Sequence, residues 1–182
     1  MRIIAGSRRS LKLVTPEGLG TRPTQDRIKE TLFNVIQNDV PGSVFIDLFA
    51  GSGGIGLEAL SRGAKRAYLV DNSRDCEKCI KKNIETTKFA DEAVYLKSDV
   101  MFALSAQIHD KADIIFMDPP YGEGLEVQVL SFLAADRKLV SEDTLFIVEA
   151  SLETELGAES LGYEIIKVKK YKSNQHYFLK LK

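Results

Sequence analysis

The sequence predicts a doubly wound α/β fold, a mostly parallel seven-stranded sheet closed along one side by an antiparallel C-terminal hairpin. Three observations carry this prediction. Five short apolar runs, at 44–49, 67–70, 94–96, 114–117 and 145–148, are continuous rather than alternating, as expected of strands covered on both faces. Segments with helical spacing at 55–62, 74–87, 102–107 and 124–137 lie between them, and this βαβ order builds a parallel sheet with helices on both sides. In the last quarter, 163–168 and 176–181 are strand-like and joined only by the polar stretch 169–175, so they are expected to pair as a hairpin.

Upstream of the sheet, the first twenty residues alternate loosely around Gly6-Ser7 and again before Pro16 and Gly18, which reads as a small basic N-terminal β-hairpin. After Arg22-Pro23, Thr24 is expected to cap a helix. Ile28, Leu32, Val35 and Ile36 form its apolar face, and it ends before Pro41-Gly42. The chain of 182 residues is long enough for one substantial core. The expected organisation is therefore a hairpin extension over 1–20 and one catalytic-type domain over 21–182.

No stretch approaches the roughly 20 apolar residues of a membrane helix, and the apolar run at the start is too short for a signal peptide. A soluble cytoplasmic protein is expected. The net charge is −1, but residues 1–29 carry +5 and residues 167–182 carry +6, which leaves −12 for the interior. Basic ends around an acidic middle suggest a polyanion held by the termini. Cys76 and Cys79 form a lone C-x-x-C with no second pair, too few ligands for tetrahedral zinc, and are read as structural; no metal is expected.

Asp47-Leu48-Phe49-Ala50-Gly51-Ser52-Gly53-Gly54-Ile55-Gly56 ends one strand and opens a helix. Gly51, Gly53 and Gly56 allow a tight turn and close backbone approach to a ligand, although dinucleotide sites use similar loops. The acids at the strand ends decide between them. A carboxylate at Asp47 repels a pyrophosphate and suits an ammonium. Asp71 with Asn72, after the second strand, is placed for ribose hydroxyls. Asp99 with Val100, after the third, is placed for an adenine. A cationic amino acid, a ribose and an adenine together describe S-adenosylmethionine, and the chain here resembles class I, Rossmann-like methyltransferases. A nicotinamide reading would leave Asp47 without a purpose.

Asp118-Pro119-Pro120-Tyr121 stands at the end of the fourth strand, in the crevice of an open sheet. The prolines take the backbone out of the ladder, so that the Asp118 carboxylate and the Pro119 carbonyl can accept hydrogens from an exocyclic amino group. An aspartate with the ordinary pKa of about 3.9 would be ionised for that task. Tyr121 offers a face for a base to stack on, and a duplex base would have to be flipped out to reach it. Motifs of this type belong to amino methyltransferases acting on nucleic-acid bases or glutamine amides. Aspartate, which only accepts, favours the base.

The whole chain resembles the RsmD family of bacterial 16S rRNA guanine-N2 methyltransferases. The resemblance runs through Arg2-Ile3-Ile4-Ala5-Gly6, Arg22-Pro23-Thr24 with Arg27, the glycine loop, Gly56-Leu57-Glu58-Ala59-Leu60-Ser61-Arg62-Gly63 and Asp118-Pro119-Pro120-Tyr121. It implies methylation of guanine N2 at position 966 of 16S rRNA in a small ribosomal subunit particle; separately, a monomer is expected. Arg8, Arg9 and Lys12 would grip RNA phosphates, and Arg22, Thr24, Arg27 and Pro120 would lie near the mouth of the site. Methylation of adenine N6 or glutamine N5, and a non-catalytic RNA-binding module, are the alternatives.

Overall fold

The computed structural model describes residues 1–16 and 23–182, with side chains from residue 25 onward in the second stretch. Its centre is a seven-stranded sheet formed by β1 (Val44–Leu48), β2 (Arg66–Val70), β3 (Ala93–Leu96), β4 (Ile114–Met117), β5 (Leu145–Ser151), β6 (Tyr163–Lys170) and β7 (Asn174–Leu181), in the order β3-β2-β1-β4-β5-β7-β6. The first five strands are parallel, and β7 pairs antiparallel with both β5 and β6. The expected order of elements is present. The C-terminal strands are longer than their apolar runs because the hairpin ladder continues into the polar residues Lys169, Lys170, Asn174 and Gln175.

Five helices cover the faces: α1 (Pro23–Val35), α2 (Gly54–Ser61), α3 (Arg74–Thr87), a short α4 (Val100–Phe102) that widens into a π-turn (Ala103–Gln107), and α5 (Leu125–Ala135). Helix α1 begins at Pro23, so Thr24 lies inside its first turn rather than at the cap; a proline with its fixed φ and missing N–H suits the first helical position. Arg22 lies outside the described residues, as does the Thr24 side chain.

Side-chain alternation in the strands divides the core in two. Phe45, Ala67, Leu69, Ile114, Phe116, Leu145, Ile147 and Phe178 face one cluster with Ile3, Leu13, Leu32, Phe33, Ile36 and Leu57; Ile46, Leu48, Ile115, Met117, Phe146 and Val148 face the other with Val129, Leu130 and Leu133. By the same alternation Asp47, Asp118 and Glu149 project on the first face, that of α1 and α2.

The N-terminal arms run antiparallel as expected, but regular pairing is limited to one bridge between Arg2 and Lys12, with the tight helical turn Gly6–Arg8 at the tip. The arms belong to the core of the domain, since Ile3 is fully buried and Leu13 nearly so. Their anchor is Glu58 of α2, itself fully buried. Its carboxylate accepts the Ile4 N–H at 2.7 Å and the Ala5 N–H at 3.0 Å and pairs with Lys29 at 3.2 Å and Arg62 at 2.8 Å. Gly6 passes so close to α2 that a Cβ there would stand 1.8 Å from the Ser61 carbonyl oxygen.

Candidate active site

The carboxyl ends of β1 to β4 border a cleft of about 830 Å³, lined by Phe49, Gly51, Val70, Asp71, Asn72, Ser98, Asp99, Val100, Asp118, Pro119, Pro120 and Tyr121 among others. Parallel strands produce this coincidence: each crossover returns the chain to the same edge, so residues far apart in sequence end side by side. Nine of the residues expected to serve donor or acceptor therefore share one cavity. Gly53, Gly56 and Asp47 do not line it.

The loop turns sharply after β1. Phe49 takes a left-handed φ of 64°, an unusual and strained conformation for a non-glycine residue. Gly51 follows with φ 57°, and a Cβ on it would meet nothing within 4 Å, so its face is open. Asp71 holds this loop: Oδ2 accepts the Gly51 N–H at 2.8 Å and Oδ1 accepts the Ser73 N–H at 2.9 Å. Asp99 caps α4, with Oδ1 accepting from the Met101 and Phe102 N–H groups. Both acids thus have a structural task as well as a place in the lining of the cleft.

Asp47 differs from expectation. It is buried beneath the loop, where Oδ2 accepts the Gly56 N–H at 2.9 Å. Burial raises its carboxyl to about 7; the Gly56 hydrogen bond opposes the rise and the Asp71 charge adds to it. The side chain therefore fixes the first turn of α2 from below. A Cβ on Gly56 would stand 2.2 Å from Leu69 Cδ2, so a larger residue there would have to displace the buried Leu69 side chain.

Asp118 projects into the cleft from the end of β4. It also differs from the ordinary aspartate that its sequence suggests. Partial burial in the cleft wall, then the charges of Glu149 and Asp47, push its carboxyl upward; its opening to solvent moderates that rise. Tyr121 is 55% exposed. Its hydroxyl is pushed up to about 12 by burial of part of the ring and by Glu149 and Asp118, so it stays protonated.

Behind Asp118 lies a polar group that the sequence did not reveal. Met117 of β4 pairs with Val148 of β5, which sets the following residues, Asp118 and Glu149, side by side. Glu149 in turn faces His176 of β7. Its carboxylate accepts from Asn174 Nδ2 on one oxygen and lies 2.9 Å from His176 Nε2 on the other. The Tyr171 hydroxyl lies 3.1 Å from His176 Nδ1. His176 is fully buried and meets the Phe116 ring edge-on.

The RNA-binding residues of the sequence reading separate into two groups. Arg8 donates from Nε to the Thr87 carbonyl at 2.7 Å and stacks over the Phe89 ring, so it ties the arm to α3. Arg9, Lys12 and Arg27 are exposed and line a surface groove of about 760 Å³ together with Arg2. Cys76 and Cys79 are free thiols on α3, and burial pushes both up. Among the described residues no group of three His, Cys, Asp or Glu side chains could hold a metal ion.

A family model described as conserved hypothetical protein 95 matches residues 1–180. Ribosomal RNA small subunit methyltransferase D of Escherichia coli K12 is 39% identical over 156 residues, covering 86% of this chain and 77% of that protein. The chain belongs to the RsmD family. The solved structure of Escherichia coli yhhF superposes with a TM-score of 0.84 at 34% identity, covering 100% of this chain and 98% of that one. The same fold, at a TM-score of 0.64 and 14% identity over 82% of this chain and 49% of the other, occurs in SMU.776, solved in complex with S-adenosylhomocysteine. The fold of this RsmD member is that of the S-adenosylmethionine-dependent methyltransferases.

Proposed function

We propose that this RsmD family member methylates the exocyclic N2 of a guanine in 16S rRNA of the small ribosomal subunit, with S-adenosylmethionine as donor. The reading places a monomer in the cytoplasm, with a basic N-terminal segment over 1–20 that shares, through Ile3 and Leu13, the core of a methyltransferase domain over 21–182. The observation that carries it is the placement of Asp118: an acceptor side chain open to the same cleft that Gly51, Asp71, Asn72 and Asp99 line.

The donor fits the residues present. The open face at Gly51 leaves room for close approach, and Asp71, Asn72 and Asp99 offer acceptors and a donor for ribose and adenine. Val100 supplies an apolar wall. Asp47 supports the loop from beneath, through the Gly56 N–H that it accepts. Bound there, the donor supplies an electrophilic methyl group on a sulfonium.

The chain's own task is to present the nitrogen. The Asp118 carboxylate and the Pro119 carbonyl accept the two amino hydrogens, which favours a more tetrahedral nitrogen whose lone pair is free to attack. After transfer the nitrogen is cationic and acidic, and Asp118 takes its proton. The raised affinity of Asp118 for a proton suits that role. Tyr121 and Pro120 provide the surface against which a flipped-out base stacks, worth about 1–3 kcal/mol. Arg9, Lys12 and Arg27 would hold phosphates, with Arg8 fixing the arm that carries two of them; Arg22 and Thr24 are proposed for the same surface from the sequence alone.

The reading is tested with small-subunit particles from cells lacking the protein. Incubation with methyl-tritiated donor should label the 16S rRNA, and the absence of label in particles and naked rRNA alike would overturn it.

A further inference from the structure

We propose that the tip of the β6–β7 hairpin is a second RNA contact, in which Lys169, Lys170 and Lys172 hold phosphates of the single strand that brings the target nucleotide to Asp118. This rests on the RNA reading above and adds a surface separate from the N-terminal groove.

The sheet register places the tip. Lys169 pairs with His176, which pairs with Glu149, which stands beside Asp118 one strand further in. Paired residues of neighbouring strands project on the same face, so Lys169 lies level with Asp118 and on its face. Three strand spacings separate β4 from β6, a span of about 14 Å. The register thus puts this hairpin at the far edge of the sheet on the Asp118 face, a surface separate from the groove that Arg2, Arg9, Lys12 and Arg27 line together with Asp26 and Glu30. Lys170 projects on the opposite face of β6 and Lys172 sits in the turn, so the charge wraps around the tip.

The charge is available and hydrogen bonds close the turn that carries it. Lys169, Lys170 and Lys172 are exposed, and none of them enters an ion pair among the described residues. The nearby carboxylate on the Asp118 face, Glu149, is already taken by Asn174 and His176. Glu153 and Glu155 follow β5, and Glu155 acts on Tyr177 of the opposite face. The Tyr171 N–H donates to the Asn174 carbonyl at 2.8 Å, and its hydroxyl and ring meet His176, which closes the turn in one conformation. A turn formed in advance limits the backbone entropy lost on meeting a polyanion. Lysines also protect an exposed edge strand from pairing with another chain, but edge protection does not require them to continue into the turn beside the catalytic edge.

The test is the salt dependence of binding to a small-subunit rRNA transcript, for the wild type and the K169Q/K170Q/K172Q variant. Loss of three phosphate contacts should make the slope of log affinity against log salt shallower by about 2 and weaken binding on the order of tenfold or more near physiological salt. Affinity for S-adenosylhomocysteine, read by calorimetry, should stay unchanged. An unchanged slope in this variant, with a reduced slope in R9Q/K12Q, would overturn the hairpin contact and leave the RNA reading standing. Absence of rRNA binding by the wild type would overturn both.

Discussion

His176 Nε2 lies 2.9 Å from Glu149 Oε2, and Glu149, within β5, stands beside Asp118, the residue that follows the adjacent parallel strand β4. Both contacts of the ring are satisfied when Nε2 donates to the carboxylate and Nδ1 accepts from the Tyr171 hydroxyl. With Asn174 Nδ2 donating to its other oxygen, Glu149 is held as a fixed acceptor whose charge faces Asp118. Its effect on the acceptor site is electrostatic.

Glu149→Gln should therefore change a pH profile. Asp118 must be ionised to accept amino hydrogens, and its raised pKa, due first to burial and then to Glu149, sets the acidic limb of the methyl-transfer rate. Removing the Glu149 charge lowers that pKa, so the acidic limb should move to lower pH in single-turnover measurements. The limiting rate should fall as Asp118 becomes a weaker base. A limb that does not move would exclude Asp118 as the group titrating in it.

Asp118→Ala should separate chemistry from donor binding. In the proposed function the carboxylate faces the acceptor and the donor contacts lie on Gly51, Asp71, Asn72 and Asp99, so turnover should fall by on the order of a hundredfold or more. Calorimetric affinity for S-adenosylhomocysteine should change by less than about threefold. Loss of donor binding to the same extent would show that Asp118 belongs to the donor site.

Asp47 should be visible in stability. Its folded pKa of about 7 exceeds an unfolded value near 3.9, so the folded state binds the proton more tightly. The resulting stability is fully present below about pH 4 and is lost as pH rises through 7, an upper limit of about 4 kcal/mol over that range. Asp47→Asn keeps an acceptor for the Gly56 N–H and removes the titration. Its urea-unfolding free energy relative to wild type should rise from pH 4 to pH 7, and a constant difference would contradict the buried carboxyl.

Glu58→Ala should cost about 3–5 kcal/mol in urea unfolding, because it leaves Lys29 buried without its partner and orphans the Ile4 and Ala5 N–H groups. Asp75→Ala, which breaks an exposed pair with Lys78, should cost less than about 1 kcal/mol. Equal effects would remove Glu58 as the anchor of the N-terminal arm.

These four cases also show what the sequence discloses. The sheet was legible because Phe45, Ile115 and Ile147 sit in continuous apolar runs that only a strand covered on both faces tolerates. Asp71, Asp99 and Asp118 were legible because parallel strands deliver their carboxyl ends to one edge. Asp47 was assigned to the ligand because a strand-end carboxylate gives no sign of whether it points into the cleft or beneath the loop. Glu58 reads as a solvated helix residue until the N-terminal arm lies across it. Glu149 and His176 are 27 residues apart, and their pairing depends on an antiparallel register that no local pattern encodes.

The central claim is most directly tested by the chemical identity of the methylated nucleoside. Small-subunit particles from cells lacking the protein would be methylated with purified enzyme and S-adenosylmethionine, digested to nucleosides and analysed by mass spectrometry. N2-methylguanosine should appear in proportion to enzyme and vanish with Asp118→Ala. N6-methyladenosine in its place, or no methylated nucleoside at all, would contradict the account.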